Sequence, residues 1–139
     1  MRNLPSLQFS NVEEEITELF WDIGLRKNTA RVLVLTLWDI DLTARDMERV
    51  CDLRQPEVSI ALTDLMKRKW IKVVNQVMVN KGRPVKIYRL AKSLEQILDE
   101  LKGLIEGDYD KKSEEIEKVR EMMKKQSSKN NIISTDISS

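Results

Sequence analysis

The sequence contains no histidine and only one cysteine, Cys51. Without histidine, the common zinc sites and imidazole-based acid–base catalysis are excluded. A single cysteine cannot form an intramolecular disulfide, which fits a reducing compartment. The sequence also lacks a phosphate-binding loop and a nucleophile paired with a base, so we expect neither an enzyme nor a bound cofactor.

Long apolar runs are missing as well. No stretch reaches the roughly 18 apolar residues that a membrane helix requires. Residues 1–9 lack the apolar core of a signal peptide. We therefore expect a cytoplasmic protein without a membrane partner. The 139 residues favour one domain with an extension, and the charged fraction of 34% indicates long solvated helices.

Charge is distributed unevenly although the formal net charge is only +1. Residues 43–92 hold twelve Lys and Arg against five Asp and Glu, a local charge of +7. The remaining residues hold twelve basic and eighteen acidic side chains, a charge of −6. This asymmetry favours one face that meets a polyanion, while the other faces do not.

Three helix start signals are visible before the centre of the chain. Ser10 with Glu13 forms a capping-box pattern, and Gly24 is a natural stop for the helix that follows. Asn28 is the predicted cap of a second helix that is apolar nearly all round, and hence central. Thr43 precedes a short third helix with an acidic residue at its third position.

A fourth helix is predicted over about residues 55–69, with Pro56 near its start, where a missing N–H costs nothing. One face of this helix is predicted to be buried: Val58, Ala61, Leu62 and Leu65. Cys51 falls in register with Met47, so we expect it to pack in the core; a redox-sensing role is the alternative.

Beyond this helix the pattern changes to strand. Residues 70–79 are rich in β-branched side chains, and residues 85–90 alternate apolar with basic residues. The intervening NKGRP is typical of a turn, in which Gly82 supplies a positive φ and Pro84 stiffens the exit. The sequence therefore predicts an antiparallel hairpin, and a fold that is mainly α with a small β-hairpin.

A long helix is predicted from Ser93, with a heptad-like apolar seam that we expect to form a dimer interface. The seam residues are Leu94, Leu98, Leu101, Ile105, Tyr109, Ile116, Val119 and Met123. Gly103 and Gly107 weaken the helix, so the sequence leaves open whether it is continuous or is kinked or broken within residues 103–110. The expected organisation is a domain over residues 10–92, a dimerisation helix over 93–126 and a disordered tail over 127–139.

Two helices joined by a tight turn and followed by a hairpin form the winged helix-turn-helix arrangement. The second helix fits a DNA major groove, and the hairpin, or wing, over about residues 79–86 reaches the neighbouring minor groove. The candidate DNA-binding residues are Arg45, Arg54, Gln55, Glu57, Ser59, Ile60, Thr63, Lys67, Lys81, Arg83 and Lys86. Lys81, Lys86 and also Arg89 are expected to serve phosphates. Ordinary surface roles remain the alternative for each, with Glu57 only favouring the helix dipole.

Residues 42–74, LTARDMERVCDLRQPEVSIALTDLMKRKWIKVV, followed by KGRPVKIYRL at 81–90, carry a resemblance. They resemble the winged-helix region of prokaryotic transcriptional regulators, closest to the archaeal TrmB-like and MarR-like groups. The resemblance covers about residues 25–125 and implies a sequence-specific homodimer that binds double-stranded DNA. It transfers no effector, so a small-molecule effector stays open.

A second interpretation is a protein–protein adaptor, because winged helices also serve as docking modules in transcription-related assemblies. In that case the outer face of the fourth helix would bind a protein. The local charge of +7 argues against this interpretation.

Overall fold

The computed structural model describes residues 8–79 and 82–129. Five helices and one hairpin follow in chain order: α1 (Asn11–Ile23), α2 (Lys27–Thr36), α3 (Ala44–Cys51), α4 (Gln55–Lys67), β1 (Ile71–Val79), β2 (Arg83–Leu90) and α5 (Leu94–Lys129). The chain divides into two compact units, the first ending at Ile97 and the second beginning at Leu98. The predicted mainly helical fold with a small hairpin is confirmed.

Local hydrogen bonds explain where α1 and α3 begin. The Ser10 hydroxyl accepts the Glu13 N–H, and the Glu13 carboxylate accepts the Ser10 N–H in return. Thr43 and Asp46 form the same reciprocal pair at α3. Both predicted capping boxes are therefore confirmed.

The predicted start of α2 is wrong by two residues. Arg26 is the N-cap, with the extended backbone that this position requires, while Asn28 lies inside the helix. No side chain caps α2, and its first turn holds no acidic residue. Its start is stabilised by burial instead, because seven of its ten residues are buried and α1, α3 and α4 all contact it.

Arg31 connects three helices at one side of this core. Its Nη1 lies 3.0 Å from a carboxylate oxygen of Glu14 on α1. Its Nε donates to the carbonyl oxygen of Cys51, the last residue of α3, at 3.0 Å. The guanidinium also lies 5.0 Å from the Phe9 ring centroid. The side chain is only 17% exposed, so these contacts replace most of its hydration.

The helix-turn-helix pair is α3 and α4, joined by a tight turn. Asp52 adopts a left-handed conformation with φ of 55°, and Leu53 N–H bonds the Glu48 carbonyl at 2.9 Å. Helix α4 ends at Lys67, two residues before the predicted end, because Lys69 has a φ of 63° and leaves the helical region. Its predicted buried face is confirmed at all four positions.

The two strands pair antiparallel, from Ile71 with Leu90 to Val79 with Arg83, so the predicted hairpin is confirmed. The register shifts once between Val73 and Asn75. A bridge between Leu42 and Tyr88 attaches the hairpin to the segment before α3, with backbone bonds of 2.7 and 3.2 Å.

Helix α5 is continuous and passes Gly103 and Gly107 without interruption, which answers the question that the sequence left open. It also includes residues 127–129, which were predicted to begin a disordered tail; residues 130–139 lie outside the described residues. Within the described ranges, no helix combines the length and the apolar character needed to cross a membrane.

Cys51 is 1% exposed and packs in the core, as predicted. Its Sγ lies 3.6 Å from the Arg31 carbonyl oxygen. Burial raises the pKa of the thiol to about 12, against an ordinary value of 9.0. Because the thiolate is the reactive form, this environment disfavours the redox-sensing alternative.

We predict that alkali destabilises the wild-type protein more steeply than a Cys51→Ala variant. The unfolded thiol loses its proton near pH 9.0 and the folded thiol only near pH 12, so this contribution to the free energy of unfolding falls within that range. Urea denaturation at increasing pH measures the difference. Equal slopes for the two proteins would contradict the raised pKa.

Candidate nucleic-acid interface

The outer face of α4 is exposed over its whole length. Val58, Ala61, Leu62 and Leu65 turn inward, which leaves the opposite face to solvent. That face includes four exposed residues selected from the sequence: Ser59, Ile60, Thr63 and Lys67. Ile60 is 53% exposed, and the Thr63 hydroxyl donates to the Ser59 carbonyl at 2.9 Å. An exposed helix face with short side chains at its centre can approach a partner closely.

The N-terminal end of α4 contains Arg54, Gln55 and Glu57. Arg54 and Gln55 are exposed, whereas Glu57 is half-buried and held at both carboxylate oxygens. One oxygen accepts the Arg54 N–H at 2.8 Å, and the other lies 3.5 Å from Nδ2 of Asn28. The structure thus gives Glu57 a helix-capping role, which limits its freedom to contact a nucleic acid.

The C-terminal end of α4 leads directly into the hairpin through Trp70. Trp70 is 1% exposed. Its backbone N–H donates to the Leu65 carbonyl at 3.1 Å, and its backbone carbonyl accepts the Ala91 N–H at 2.7 Å. The Arg68 guanidinium lies 4.9 Å from the Trp70 ring centroid and pairs with Asp64 at 2.9 Å. Arg68 is therefore held in place, whereas the neighbouring Lys67 is exposed.

In the wing, Gly82 has the positive φ, 83°, that its turn requires. Arg83 and Lys86 are exposed on β2, as the sequence predicted, whereas Lys81 lies outside the described residues. Arg89, expected at the sequence level to serve phosphates, instead pairs with Asp39 at 2.9 Å and Asp41 at 3.3 Å. The Asp39 hydrogen bond is the main cause that raises the pKa of Arg89.

The remaining basic candidate, Arg45, is exposed on α3. Arg45 lies in the first turn of α3, and Arg54 is the N-cap of α4, so both belong to the helix-turn-helix pair. Among the described residues, no group of three or more acidic, cysteine or histidine side chains is arranged to hold a metal ion.

The seam residues of α5 differ in exposure. Leu101 is only 6% exposed within the single chain, and Ile97, which was not selected, is fully buried. The other seam residues are exposed, and those from Tyr109 onward are at least 60% exposed: Tyr109, Ile116, Val119 and Met123. Leu101 is therefore unavailable as a surface contact, whereas the later positions are accessible.

Sequence reasoning missed a second wall beside α4. An open groove of about 450 Å³ has the outer face of α4 on one side and Gly24 and Arg26 on the other. Arg26 lies outside the basic segment of residues 43–92, so the charge count gave no signal for it. The sequence signal that could have indicated a basic residue at this surface was the pair Arg26 and Lys27, which lies between the helix-ending Gly24 and the apolar α2.

We predict that Glu57→Ala lowers the free energy of unfolding by about 1 kcal/mol, because it removes both acceptors at the start of α4. Glu57→Gln is the matched control, since its amide oxygen still accepts one of these hydrogen bonds. Urea denaturation measures both variants. Wild-type stability for Glu57→Ala would contradict the capping role.

No protein-family model matches the sequence, and no curated protein matches it. Among solved structures, a possible transcriptional regulator from Methanosarcina mazei aligns with a TM-score of 0.58 at 18% identity, covering 76% of this chain and 86% of that one. A MarR family regulator from Neisseria meningitidis gives a TM-score of 0.45 at 14% identity, covering 86% and 90%. The lower score adds nothing to the fold assignment. The alignment with the Methanosarcina structure and the α3–α4–hairpin order give the chain a winged helix-turn-helix fold.

Proposed function

We propose that the protein is a transcriptional regulator that binds double-stranded DNA in sequence-specific fashion as a homodimer in the cytoplasm. One observation carries this proposal. The face of α4 opposite its buried residues is fully exposed and presents Ser59, Ile60, Thr63 and Lys67 in one row. A helix of this width, free on one side, fits the major groove of B-form DNA.

The side chains at the exposed face suit base contacts of different kinds. Ile60 offers an apolar group to a thymine methyl, and Gln55 has the amide geometry that pairs with adenine. Arg54 suits guanine or a phosphate. The Glu57 carboxylate caps α4 by accepting the Arg54 N–H, so we assign Glu57 a supporting role in holding the start of α4.

The wing supports the same proposal. Arg83 is exposed at the first position of β2, directly after the turn at Gly82. An arginine at a wing tip suits a narrow minor groove with strong negative potential. Lys81 and Lys86 would contact phosphates, which supply affinity with little sequence information. Arg89 is excluded from this set because Asp39 and Asp41 occupy its guanidinium.

A dimer would cover the exposed apolar residues of α5. Tyr109, Ile116, Val119 and Met123 recur along a helix of 36 residues, which is about 54 Å long. A repeated apolar stripe in water is stabilised when a second helix packs on it. In a two-fold dimer, the two copies of α4 would meet successive major-groove faces of a pseudo-palindromic site.

The first test of this function is DNA binding by the wing. We expect wild-type protein to select a preferred duplex from a random pool and to bind it less tightly as salt rises. Arg83→Ala should weaken that binding about tenfold, since a minor-groove contact is lost. Fluorescence anisotropy over a range of salt concentrations gives both quantities.

Arg83→Lys is the matched control, because it keeps the charge but not the guanidinium shape. It should recover part of the affinity. Wild-type protein without salt-dependent affinity for any duplex would contradict the regulator proposal. Capture of a protein partner after nuclease treatment, together with that result, would favour the adaptor interpretation.

The second test concerns the dimer. Ile116→Glu places a charge within the exposed stripe of α5 and should convert the dimer to monomer at micromolar concentration. Glu117→Gln alters a neighbouring exposed residue outside the stripe and should leave the dimer intact. Light scattering coupled to size-exclusion chromatography measures the mass. A monomeric wild-type protein would contradict the homodimer.

A further inference from the structure

Two open cavities adjoin beside α4 in the first unit. The first, of about 450 Å³, is lined by Gly24, Arg26, Ser59, Ile60, Thr63 and Lys67, among others. The second, of about 220 Å³, is lined by Arg26, Lys27, Asn28, Thr29, Glu57 and Ile60, among others. Arg26 and Ile60 line both, so the two cavities are neighbours, and together they are here called the α2–α4 groove.

The α2–α4 groove is positively charged. Four basic residues line it, against the two acidic residues Asp64 and Glu57. Asp64 and Arg68 pair with each other at 2.9 Å, and Glu57 is held at the start of α4, which leaves Arg26, Lys27 and Lys67 as the source of the positive charge. Within residues 8–79 and 82–129, no ion pair or hydrogen bond holds the exposed side chain of Arg26, so its charge is available to an anion.

Thr29, one of the residues that line the second cavity, has a buried hydroxyl without a hydrogen-bond partner in the part of the chain that the structure describes. Thr29 is 1% exposed, and its Oγ1 makes no hydrogen bond to any of the described residues. Thr29 lies in the first turn of α2, which has neither a side-chain cap nor an acidic residue. A helix start without an acidic residue favours a negative charge supplied by a ligand.

We propose that the α2–α4 groove holds the backbone phosphates of one DNA strand, with Arg26 as the main phosphate contact on the α2 side. This inference rests on the proposed function and deepens it. Lys67 contributes from the α4 side, and the Ser59 hydroxyl donates to a phosphate oxygen between them. Arg26 thereby fixes how α4 lies on the duplex, while sequence is read by α4 and the wing.

The test compares Arg26→Gln with wild-type protein on two duplexes, one selected by the wild type from a random pool and one of unrelated sequence. We expect affinity for both to fall by the same factor, about 3- to 10-fold, because a phosphate contact carries no sequence information. The slope of log affinity against log salt should shrink by about one.

Two matched variants separate charge from folding. Lys111→Gln removes one positive charge from an exposed site on α5, outside the groove, and should bind both duplexes as the wild type does. Arg26→Lys should restore most of the affinity and the salt slope. Thermal unfolding of Arg26→Gln should match wild type, because the side chain is exposed and unpaired among the described residues.

The outcomes distinguish this inference from the regulator proposal. If wild-type protein binds DNA with salt dependence but Arg26→Gln keeps the wild-type affinity and slope, the groove is not a phosphate site and the regulator proposal stands. If Arg26→Gln selects a different preferred duplex, Arg26 reads bases and the phosphate assignment fails. If wild-type protein binds no duplex, both proposals fail together.

Discussion

The placement of Trp70 is the constraint on which the functional surface depends. Its buried ring fixes the exit of α4, its N–H closes the last turn of α4, and its carbonyl holds Ala91 at the end of β2. One residue therefore joins α4 to both strands at the base of the hairpin. Because the hairpin is also bridged at Leu42 and Tyr88, α4 and the base of the hairpin are held together and are not two independent elements. A partner would meet them as one preorganised surface, which lowers the entropy lost on binding.

The exposed face of α4 could be predicted because it depends only on local information. A helical period of apolar residues and Pro56 near the start define which side is buried, and the opposite side follows from geometry. Capping boxes at Ser10 and Thr43 were equally accessible, since their partners lie three residues away. The hairpin followed from β-branched residues and a glycine turn.

The failures have physical reasons. Asn28 was predicted as a cap from its residue type, but an N-cap requires extended backbone, and Arg26 is the residue that adopts it. The start of α2 is set by the burial of the helix and not by a capping side chain. Two glycines cost about 1 kcal/mol each in a helix, which 36 continuous residues tolerate. The α2–α4 groove could not be predicted, because it exists only once residues more than thirty positions apart are packed together. Arg89 was misjudged for the same reason, since its carboxylate partners lie 48 and 50 positions away.

The run Lys67, Arg68, Lys69 shows how three adjacent cations acquire separate roles. Lys69 lies at the residue where the chain turns out of the helix, with φ of 63°. Arg68 is committed to Asp64 and the Trp70 ring, while Lys67 faces the open groove. Selection therefore acts on the three through different properties. In related sequences, position 68 would covary with positions 64 and 70 to preserve folding, while position 67 would stay basic whatever the sequence of the DNA site, because a phosphate contact requires only the charge.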